Sequence, residues 1–290
     1  MLLITGVTGS LGRAFLQHTK YKGRIRGLSR DEQKQSQLRN SLRPEMGIQV
    51  VVGDVRDYDK VLDATQGCDT VIHAAALKVI STGPFNADEF MKTNVNGTWN
   101  VIQASIRNGV KKLLYISTDK ACEPTTFYGF TKAMGEGLCV QKNGQNPSTD
   151  ISCVRYGNVE HSRGSFTNVL AKAEKGDTVA VTDPDCTRFW LTLEAAVALI
   201  DQALEEMTGG EIFVPRISSK RVGDMIPPGV NMDIVGLKRG EKAHETLIGR
   251  YDLPFTDVYA EHFVIKPWER GNCVEVVPYR SNSEAGWGTT

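Results

Sequence analysis

Short apolar runs alternate with amphipathic stretches through the first half of the chain. Aliphatic and β-branched residues cluster at 1–5, 25–29, 48–54, 70–75, 112–118 and 151–157. Continuous runs such as Val50-Val51-Val52 are typical of strands in a parallel sheet that is covered on both faces. Because helical stretches separate the strands, we predict βαβ crossovers. The pattern thus predicts an α/β fold, a Rossmann-like doubly wound parallel sheet, over residues 1–157.

One helix of this first half has a clear apolar stripe. Val95, Trp99, Ile102 and Ile106 recur at helical spacing and stop before Gly109. Glycine is favoured just past the end of a helix, because it adopts positive φ without strain. The spacing predicts a helix that turns these four side chains toward the sheet.

Beyond residue 157 the apolar pattern loosens into turns and isolated helices. We expect residues 158–279 to form mainly a smaller C-terminal lobe. A helix is predicted over 193–207, and residues 186–207 are expected to return to the first domain. The polar tail, residues 280–290, is expected to fray.

Composition excludes several classes of partner. The 34 basic and 34 acidic residues balance to zero formal charge, so nucleic acid and anionic lipid are not expected ligands. The sequence begins without a basic leader and contains no run of the roughly 18 apolar residues that a membrane span requires. These features predict a cytoplasmic protein. None of the cysteines and histidines has metal-ligand spacing, so no metal site is predicted.

A glycine-rich turn follows the first predicted strand. Gly6, Gly9 and Gly12 are spaced three apart, where a strand passes into a helix. Glycine lets the backbone approach a pyrophosphate at the positive end of the helix. We therefore predict a dinucleotide site, whose cradle also includes Thr8, Ser10 and Leu11.

The end of the second strand bears on the choice of dinucleotide. NAD requires a carboxylate for the ribose 2′-hydroxyl, whereas the 2′-phosphate of NADP requires a cation and a hydroxyl. Here Ser29 and Arg30 precede Asp31, which favours NADP and leaves NAD open. Asp54, at the end of the third strand, is either an acceptor for the adenine amine or a turn residue.

Tyr128 and Lys132 are four residues apart, which places both on one face of a helix. A phenol with a pKa near ~10 acts as a base at neutral pH only if a nearby cation stabilises the phenolate. We expect Lys132 to supply that charge and to hold the nicotinamide ribose. Thr118, at the end of the fifth strand, is predicted to hydrogen-bond a substrate hydroxyl.

These motifs, together with STDKACEPTTFYGFTK, VRYGNV, TRFWLT and GEKAHE, resemble the extended short-chain dehydrogenases/reductases. The resemblance is strongest to the inverting UDP-N-acetylglucosamine 4,6-dehydratases of pseudaminic-acid and capsular sugar pathways. It implies a UDP-N-acetylglucosamine substrate bound in the C-terminal lobe, and a dimer or hexamer. Asp119-Lys120 is the most discriminating pair, because epimerases lack an acid and a base there.

The implied reaction begins with oxidation at carbon 4 of the sugar, for which Tyr128 removes the hydroxyl proton. Lys120 then takes the proton of carbon 5 as a neutral amine, with a pKa lowered toward about 7–8 by burial or by Lys132. Asp119 protonates the departing 6-hydroxyl, and hydride returns to carbon 6. Successive strand residues point to opposite faces, so both side chains reach one sugar only if the backbone leaves extended geometry at Thr118.

The resemblance assigns further residues less specifically. Those expected at the cofactor are Val55, Ala74, Ala75, Lys78, Asn94 and Tyr156, and those expected at the UDP-sugar are Lys78, Asn158, Arg163, Arg188 and Glu241. Asn94 is explained equally well as a helix N-cap. His73 is interpreted as a satisfied core or loop histidine.

Two features depart from the family pattern. Lys238-Arg239 replaces the usual Arg-Pro, and lysine cannot form a bidentate clamp on a diphosphate. The segment 218–235 is shorter than the helix that the family has at this place.

A retaining 4,6-dehydratase, a 5,6-dehydratase or an epimerase on the same fold remains an alternative, although Tyr128 favours the inverting group. A non-catalytic NADP sensor is a further alternative. It is disfavoured because the reactive residues Asp119, Lys120, Tyr128 and Lys132 are all present.

Overall fold

The computed structural model describes residues 1–42, 47–80, 85–145, 148–273 and 277–283. Its largest sheet has nine strands, and their order β14-β15-β10-β6-β5-β4-β1-β2-β3 gives the doubly wound arrangement on both sides of β1. The strands of the described residues are β1 Leu2–Thr5, β2 Ile25–Ser29, β3 Gln49–Val52, β4 Thr70–His73, β5 Lys112–Ile116, β6 Asp150–Val154, β7 Asn158–Val159, β8 Thr178–Val181, β9 Thr187–Leu191, β10 Ile212–Pro215, β11 Ser219–Arg221, β12 Asn231–Ile234, β13 Thr246–Ile248, β14 Thr256–Val258, β15 His262–Ile265 and β16 Tyr279–Arg280.

Helices cover both faces of this sheet. They are α1 Ser10–His18, α2 Glu32–Ser41, α3 Tyr58–Thr65, α4 Ala87–Phe90, α5 Gly97–Arg107, α6 Phe127–Gly144, α7 Phe166–Leu170 and α8 Leu193–Glu206, with a π-helical segment Met91–Asn96 and 3₁₀ turns Asp119–Ala121, Gly223–Met225 and Leu253–Phe255. Apolar side chains of α3, α5 and α6 form one core layer, and those of α1, α2 and α8 form the other. None of the helices in the described ranges is both long and apolar enough to cross a membrane.

The six strands expected in the first half are all present, and each pairs in parallel with its neighbours. The prediction of an α/β doubly wound sheet is confirmed. Because parallel strands end at one edge, the residues after β1, β4 and β5 meet at the crevice where the strand order reverses. This edge positions the site described below.

The sheet also takes strands from beyond residue 207. β10 pairs in parallel with β6, and β15 and β14 follow it in antiparallel pairing. The remaining strands form three small sheets, namely β11-β9-β7, β12-β8 and β13-β16. The division of the chain at residue 157 stays a prediction, and the sheet itself extends across it.

The expectation of fraying from residue 280 is wrong for the described part of the tail. Tyr279–Arg280 pairs with β13, and Ser281 is 1% exposed. The hydroxyl of Ser281 accepts from the Glu245 backbone amide at 2.9 Å, so hydrogen bonding holds this short polar segment. Residues 284–290 of the predicted tail lie outside the described residues.

The predicted stripe before Gly109 holds only in part. Val95 and Ile102 are buried, but Trp99 is 41% exposed, with the Lys142 ammonium 5.8 Å from its ring centroid. The π-helical segment Met91–Asn96 winds more residues per turn than an α-helix. The change of phase therefore turns Trp99 away from the face that Ile102 buries.

Candidate active site

The glycine-rich turn lies between β1 and α1, as predicted. Gly6 has φ 73°, and a Cβ there would lie 2.9 Å from the backbone nitrogen of Ala75. At Gly12 a Cβ would lie 2.4 Å from the Val7 carbonyl oxygen, so only glycine allows the helix to pack this closely. Within the described part of the chain, no side chain caps the first turn of α1 at Gly9, which leaves its backbone amides for a ligand. The cradle fits the pyrophosphate of a dinucleotide.

The segment after β4 forms the second wall of this cradle. The Ala75 backbone amide donates to the Thr5 hydroxyl at 3.2 Å, which fixes Ala74 and Ala75 beside the glycines. His73 is enclosed by Thr5 and Thr98, and burial lowers its pKa to about 3. The interpretation of His73 as a satisfied core histidine is confirmed.

Asn94 is held by hydrogen bonds to protein groups on neighbouring elements, and its contact with a cofactor stays a prediction. It lies inside the π-helical segment, so the N-cap alternative is wrong. Its side chain accepts from the Leu77 amide at 2.8 Å, and it donates to the Leu77 carbonyl at 2.9 Å and to the Thr131 hydroxyl at 3.0 Å. At 1% exposure its polar atoms face protein groups, so Asn94 shapes the cofactor wall from behind.

The residues at the end of β2 and just after it have different hydrogen-bond partners. The Ser29 hydroxyl accepts from the Gln35 side chain at 3.0 Å, and Asp31 caps α2 by accepting from the Lys34 amide. Arg30 is exposed, with a nitrogen 3.5 Å from Asp54. The carboxylate of Asp31 is thus engaged within its own helix, whereas the Arg30 guanidinium projects at the end of the strand.

Asp54 lies two residues after β3, next to this guanidinium. Burial acts to raise its pKa, but hydrogen bonds from Arg56 hold that pKa below the usual value for an aspartate. Val55, which follows it, is 5% exposed and contributes its side chain to the core. Only the backbone of Val55 is therefore available to an adenine ring.

The chain leaves extended geometry one residue later than expected. Thr118 still has φ −155° and ψ 154°, and the 3₁₀ turn begins at Asp119. This turn brings Asp119 and Lys120 to the same side of the strand end, where Lys120 Nζ lies 3.0 Å from Asp119 Oδ1. The pair therefore shares one site, which is what the proposed chemistry requires.

Lys120 is the centre of the polar cluster. Its ammonium donates to the Asn158 side-chain oxygen at 3.2 Å and lies 3.4 Å from a carboxylate oxygen of Glu245. Burial acts to lower the pKa of Lys120, but the charges of Asp119 and Glu245 outweigh it and raise that pKa above the usual lysine value. The expectation of a lowered pKa is wrong, because a second carboxylate faces this lysine.

Asp119 has the properties of an acid. It is fully buried, and its Oδ2 has no hydrogen-bond partner among the described residues. Burial raises the pKa of Asp119, and the nearby charge of Glu245 acts in the same direction. The raised pKa makes this carboxyl easier to protonate than an exposed aspartate, and a protonated Asp119 could donate to a leaving group.

Tyr128 and Lys132 lie on one face near the start of α6, as predicted. Lys132 Nζ donates to the Ile116 carbonyl at 2.6 Å and lies 4.0 Å from the Tyr115 ring centroid, and burial lowers its pKa to about 8. Burial raises the pKa of Tyr128 to about 12, and Lys120 is the cation that opposes this increase. The expectation that Lys132 supplies this charge is therefore not met in the structure.

The residues expected at the UDP-sugar fall into two groups. Arg163 lies at the glycine-rich turn, where its backbone amide donates to the Ser10 hydroxyl at 2.9 Å and its guanidinium lies 3.4 Å from the Thr8 carbonyl. Burial lowers the pKa of Lys78, and the charges of Arg163 and Lys120 add to this effect. Lys78 thus lies within electrostatic range of Arg163, which is beside the cradle, and such a pair of cations suits a diphosphate.

The second group lies in the small sheets. Arg188 is buried, donates to the Thr187 and Ala243 carbonyls, and has its other terminal nitrogen 3.4 Å from Glu241 Oε1. Lys238 and its neighbour Arg239 are both exposed on the loop before Glu241. Tyr156 is buried against the strand end, and its carbonyl accepts from the Asp119 amide at 2.9 Å.

The sequence matches a known family over most of its length. The model of a family of polysaccharide biosynthesis proteins matches residues 2–267. The chain belongs to this family. A relative from Campylobacter jejuni strain 81-176, named UDP-N-acetylglucosamine 4,6-dehydratase (inverting), is 39% identical over an alignment of 278 residues, and the match covers 92% of this chain and 82% of the relative. A UDP-glucose 4-epimerase of Rickettsia conorii is 35% identical over 280 residues, covering 91% of this chain and 82% of the relative.

Solved structures agree with this family fold. The X-ray structure of Pen from Bacillus thuringiensis is 30% identical, with a TM-score of 0.89 over 98% of this chain and 92% of that one. A dTDP-glucose 4,6-dehydratase from Streptomyces venezuelae, solved with NAD, is 19% identical, with a TM-score of 0.72 over 83% of this chain and 86% of that one. A Thermus thermophilus UDP-glucose 4-epimerase solved with NAD is 20% identical, with a TM-score of 0.63 over 82% of this chain and 88% of that one, and both likenesses show the fold alone.

The sequence analysis missed two buried groups close to the predicted residues. Glu245 is 4% exposed and faces Lys120, whereas the motif GEKAHE led only to Glu241, four residues earlier. Arg155 forms a buried bidentate pair with Glu136, one turn after Lys132 on α6. The HE at the end of the motif was the available signal for Glu245. Within the described residues, no group of three or more His, Cys, Asp or Glu is arranged to hold a metal ion.

Proposed function

We propose that this protein is an NADP-dependent UDP-N-acetylglucosamine 4,6-dehydratase that inverts carbon 5. The observation that carries the proposal is the buried contact of 3.0 Å between Lys120 and Asp119 at the end of β5, beside Tyr128 and Lys132. Elimination of water needs an acid and a base in addition to the groups that serve oxidation. The name of the Campylobacter relative supports the substrate and the inversion.

When bound, a dinucleotide would supply the acceptor for the hydride of carbon 4 and the donor of the hydride to carbon 6. The glycine-rich turn would hold its pyrophosphate, and Lys132 would hold its nicotinamide ribose. Tyr128 would take the proton of the 4-hydroxyl. Burial raises the pKa of Tyr128, so nearby cations must lower that pKa before Tyr128 can act as a base.

The two groups at the end of β5 then divide the elimination. Lys120 would first pass its ammonium proton to Asp119, whose Oδ1 is 3.0 Å from Nζ, and the resulting amine would take the proton of carbon 5, which the new ketone at carbon 4 has acidified. Asp119 gives its proton to the departing 6-hydroxyl, as its burial and raised pKa allow. Asn158, whose side-chain oxygen accepts from Lys120, would orient the sugar, and Lys78 and Arg163 would hold its diphosphate.

NADP is favoured over NAD because the carboxylate of Asp31 already has partners within its own helix. An NAD site needs a free carboxylate after β2, but Asp31 caps its own helix and pairs with Lys34. Arg30 projects beside it and is suited to a 2′-phosphate. Asp54, which Arg30 approaches at 3.5 Å, would remain within reach of the adenine.

An epimerase is the second candidate, because Rickettsia relatives carry that name. Epimerisation at carbon 4 needs oxidation and reduction alone, so it gives no role to a buried Asp119-Lys120 pair. The pair therefore favours dehydration over epimerisation. A retaining or 5,6-dehydrating reaction would use the same pair and is separated by the product.

The test is to identify the product from UDP-N-acetylglucosamine. Mass spectrometry of the reaction without added reductant should show the loss of one water. In deuterated water, proton NMR should show solvent hydrogen at carbon 5 and the couplings of the L-arabino 4-keto sugar. UDP-N-acetylgalactosamine as sole product would establish the epimerase, and a D-xylo product alone would exclude inversion.

A further inference from the structure

Tyr115 is a residue of β5 whose ring lies under the ammonium of Lys132. It is 1% exposed, and Lys132 Nζ lies 4.0 Å from the centroid of its ring. The face of an aromatic ring carries negative charge density and attracts a cation. The hydroxyl of Tyr115 is buried and has no hydrogen-bond partner among the described residues. The ring, and not the hydroxyl, therefore makes the contact with the site.

Helix α6 leaves room for this ring. Gly135 follows Lys132 by three residues and so lies on the same side of the helix. A Cβ at Gly135 would lie 2.2 Å from the Tyr115 hydroxyl oxygen, well inside contact distance. A larger residue at 135 would displace the ring from Lys132, so the helix and the strand fit each other at this point.

The ammonium of Lys132 has three N–H donors and no acceptor. One N–H donates to the Ile116 carbonyl at 2.6 Å, and the ring of Tyr115 covers a second direction. Within the described ranges the ammonium forms no further hydrogen bond, so one N–H remains for a ligand.

The charges near Lys132 give its ammonium little support. Glu136 is the carboxylate that acts on it, and the Arg155 guanidinium binds this carboxylate at 3.0 and 2.8 Å. The charge of Arg155 offsets that of Glu136, so little net charge remains there. The other titratable groups near the ammonium are Cys139, Cys153 and His73. Burial lowers the pKa of Lys132 to about 8, and the ring and the carbonyl are left to stabilise the charged form.

We propose that Tyr115 is a positioning residue, whose ring face holds the Lys132 ammonium against the Ile116 carbonyl and leaves one N–H for the ribose of the dinucleotide. The ring replaces part of the hydration that the ammonium loses on burial. A carboxylate in its place would compete with the ribose for the remaining N–H. The inference rests on the proposed function only where it assigns the ribose to Lys132.

Fluorination of the ring tests the contact with little change in packing. Tyr115→Phe is the starting variant, and its melting temperature should not fall, because it removes a buried hydroxyl that has no partner. Phenylalanines that carry one, two or three ring fluorines are then placed at position 115, where they withdraw charge from the ring face step by step.

The first measurement is the pKa of Lys132 in the unliganded protein. Carbon-13 NMR follows it through the lysine Cε signal, which Lys132→Arg assigns. The pKa should change little in Tyr115→Phe and should fall by about 0.4–1.5 across the fluorinated series. The same fluorinated residues at Phe213, a buried ring in the other core layer, are the control and should leave this pKa unchanged.

Binding of NADP⁺, measured by calorimetry, is the second measurement. Lys132 is charged below its pKa and loses its charge as pH rises through it, so a lower pKa weakens binding only at higher pH. If the pKa falls from about 8 to about 7, the affinity should be about fivefold weaker at about pH 8 and nearly unchanged at about pH 6.

The outcomes separate this inference from the proposed function. A pKa of Lys132 that stays constant along the series at 115, or falls equally with fluorination at 213, overturns the role of Tyr115. A pKa that falls while the affinity for NADP⁺ is constant at every pH overturns the assignment of the ribose to Lys132. A wild-type protein that binds neither NADP⁺ nor NAD⁺ overturns the proposed function, and the NMR titration still decides whether the ring supports the ammonium.

Discussion

Lys120→Met removes the cation at the centre of the site while keeping much of its volume. The variant loses the base for carbon 5, so turnover should fall by about 10²–10⁴. The glycine-rich turn and Lys132 are untouched, so binding of the dinucleotide should be unchanged. Oxidation at carbon 4 should still occur, and the reduced cofactor should accumulate on the enzyme because elimination no longer follows.

The same substitution should alter stability. Lys120 lies 3.0 Å from Asp119 and 3.4 Å from Glu245, and removal of one partner of a buried ion pair costs about 3–5 kcal/mol. Lys242 still faces Glu245, so Asp119 bears most of the loss. Its pKa, already raised by burial, should rise further without the lysine.

The sign of the pH dependence follows from proton binding. A carboxyl group with a raised pKa binds more protons in the folded chain than in the unfolded chain, so the free energy of unfolding falls as pH rises. The destabilisation of Lys120→Met should therefore be small at acidic pH and develop fully above the raised pKa of Asp119. Asp119→Asn in the same background should remove this dependence.

Turnover, single-turnover absorbance and chemical denaturation across acidic and neutral pH measure these effects. Lys220→Met is the control, because Lys220 is exposed and its pair with Glu160 at 3.3 Å is a surface contact worth at most about 1 kcal/mol. Turnover of Lys120→Met within tenfold of wild type would refute the assignment of the base. Equal destabilisation at all pH values would refute the buried charge cluster.

Three further substitutions test other parts of the structure. Gly6→Ala forces a Cβ into positive φ and against Ala75, so it should cost about 1–3 kcal/mol and weaken dinucleotide binding, measured by calorimetry. Arg30→Ala should weaken binding of NADP by about 10–100-fold and leave binding of NAD nearly unchanged, since a hydrogen bond to a charged group is worth about 1.5–3 kcal/mol. Arg155→Met leaves Glu136 buried without its partner and should lower the free energy of unfolding by about 3–5 kcal/mol in urea titrations.

The strands and the glycine-rich turn could be predicted from sequence because their causes are local. A buried parallel strand must be apolar along its whole length, and a backbone that approaches Ala75 at Gly6 cannot carry a Cβ. The same holds for Tyr128 and Lys132, whose spacing on one helix determines their shared face. Trp99 was misplaced because a π-helical segment shifts the phase of the stripe, and the apolar spacing does not reveal it.

The roles of Asn94 and Asp31 could not be decided from the sequence, for a related reason. Both are small polar residues whose partners depend on the fold, namely Leu77 and Thr131 for the first and the start of α2 for the second. A side chain that can cap, bridge or bind a ligand has no sequence pattern that separates these roles. Only the packing of neighbouring elements decides which contacts are formed.

The pKa of Lys120 is the clearest case of such a decision. Burial alone lowers the pKa of a lysine, and this general rule led to the wrong direction. The 3₁₀ turn after Thr118 brings Asp119 alongside, and the segment before β13 adds Glu245 from a distant part of the chain. Two carboxylates at 3.0 and 3.4 Å outweigh the loss of hydration. The charge state of Lys120, on which the proposed elimination depends, is therefore set in part by a long-range contact that no local sequence pattern reveals.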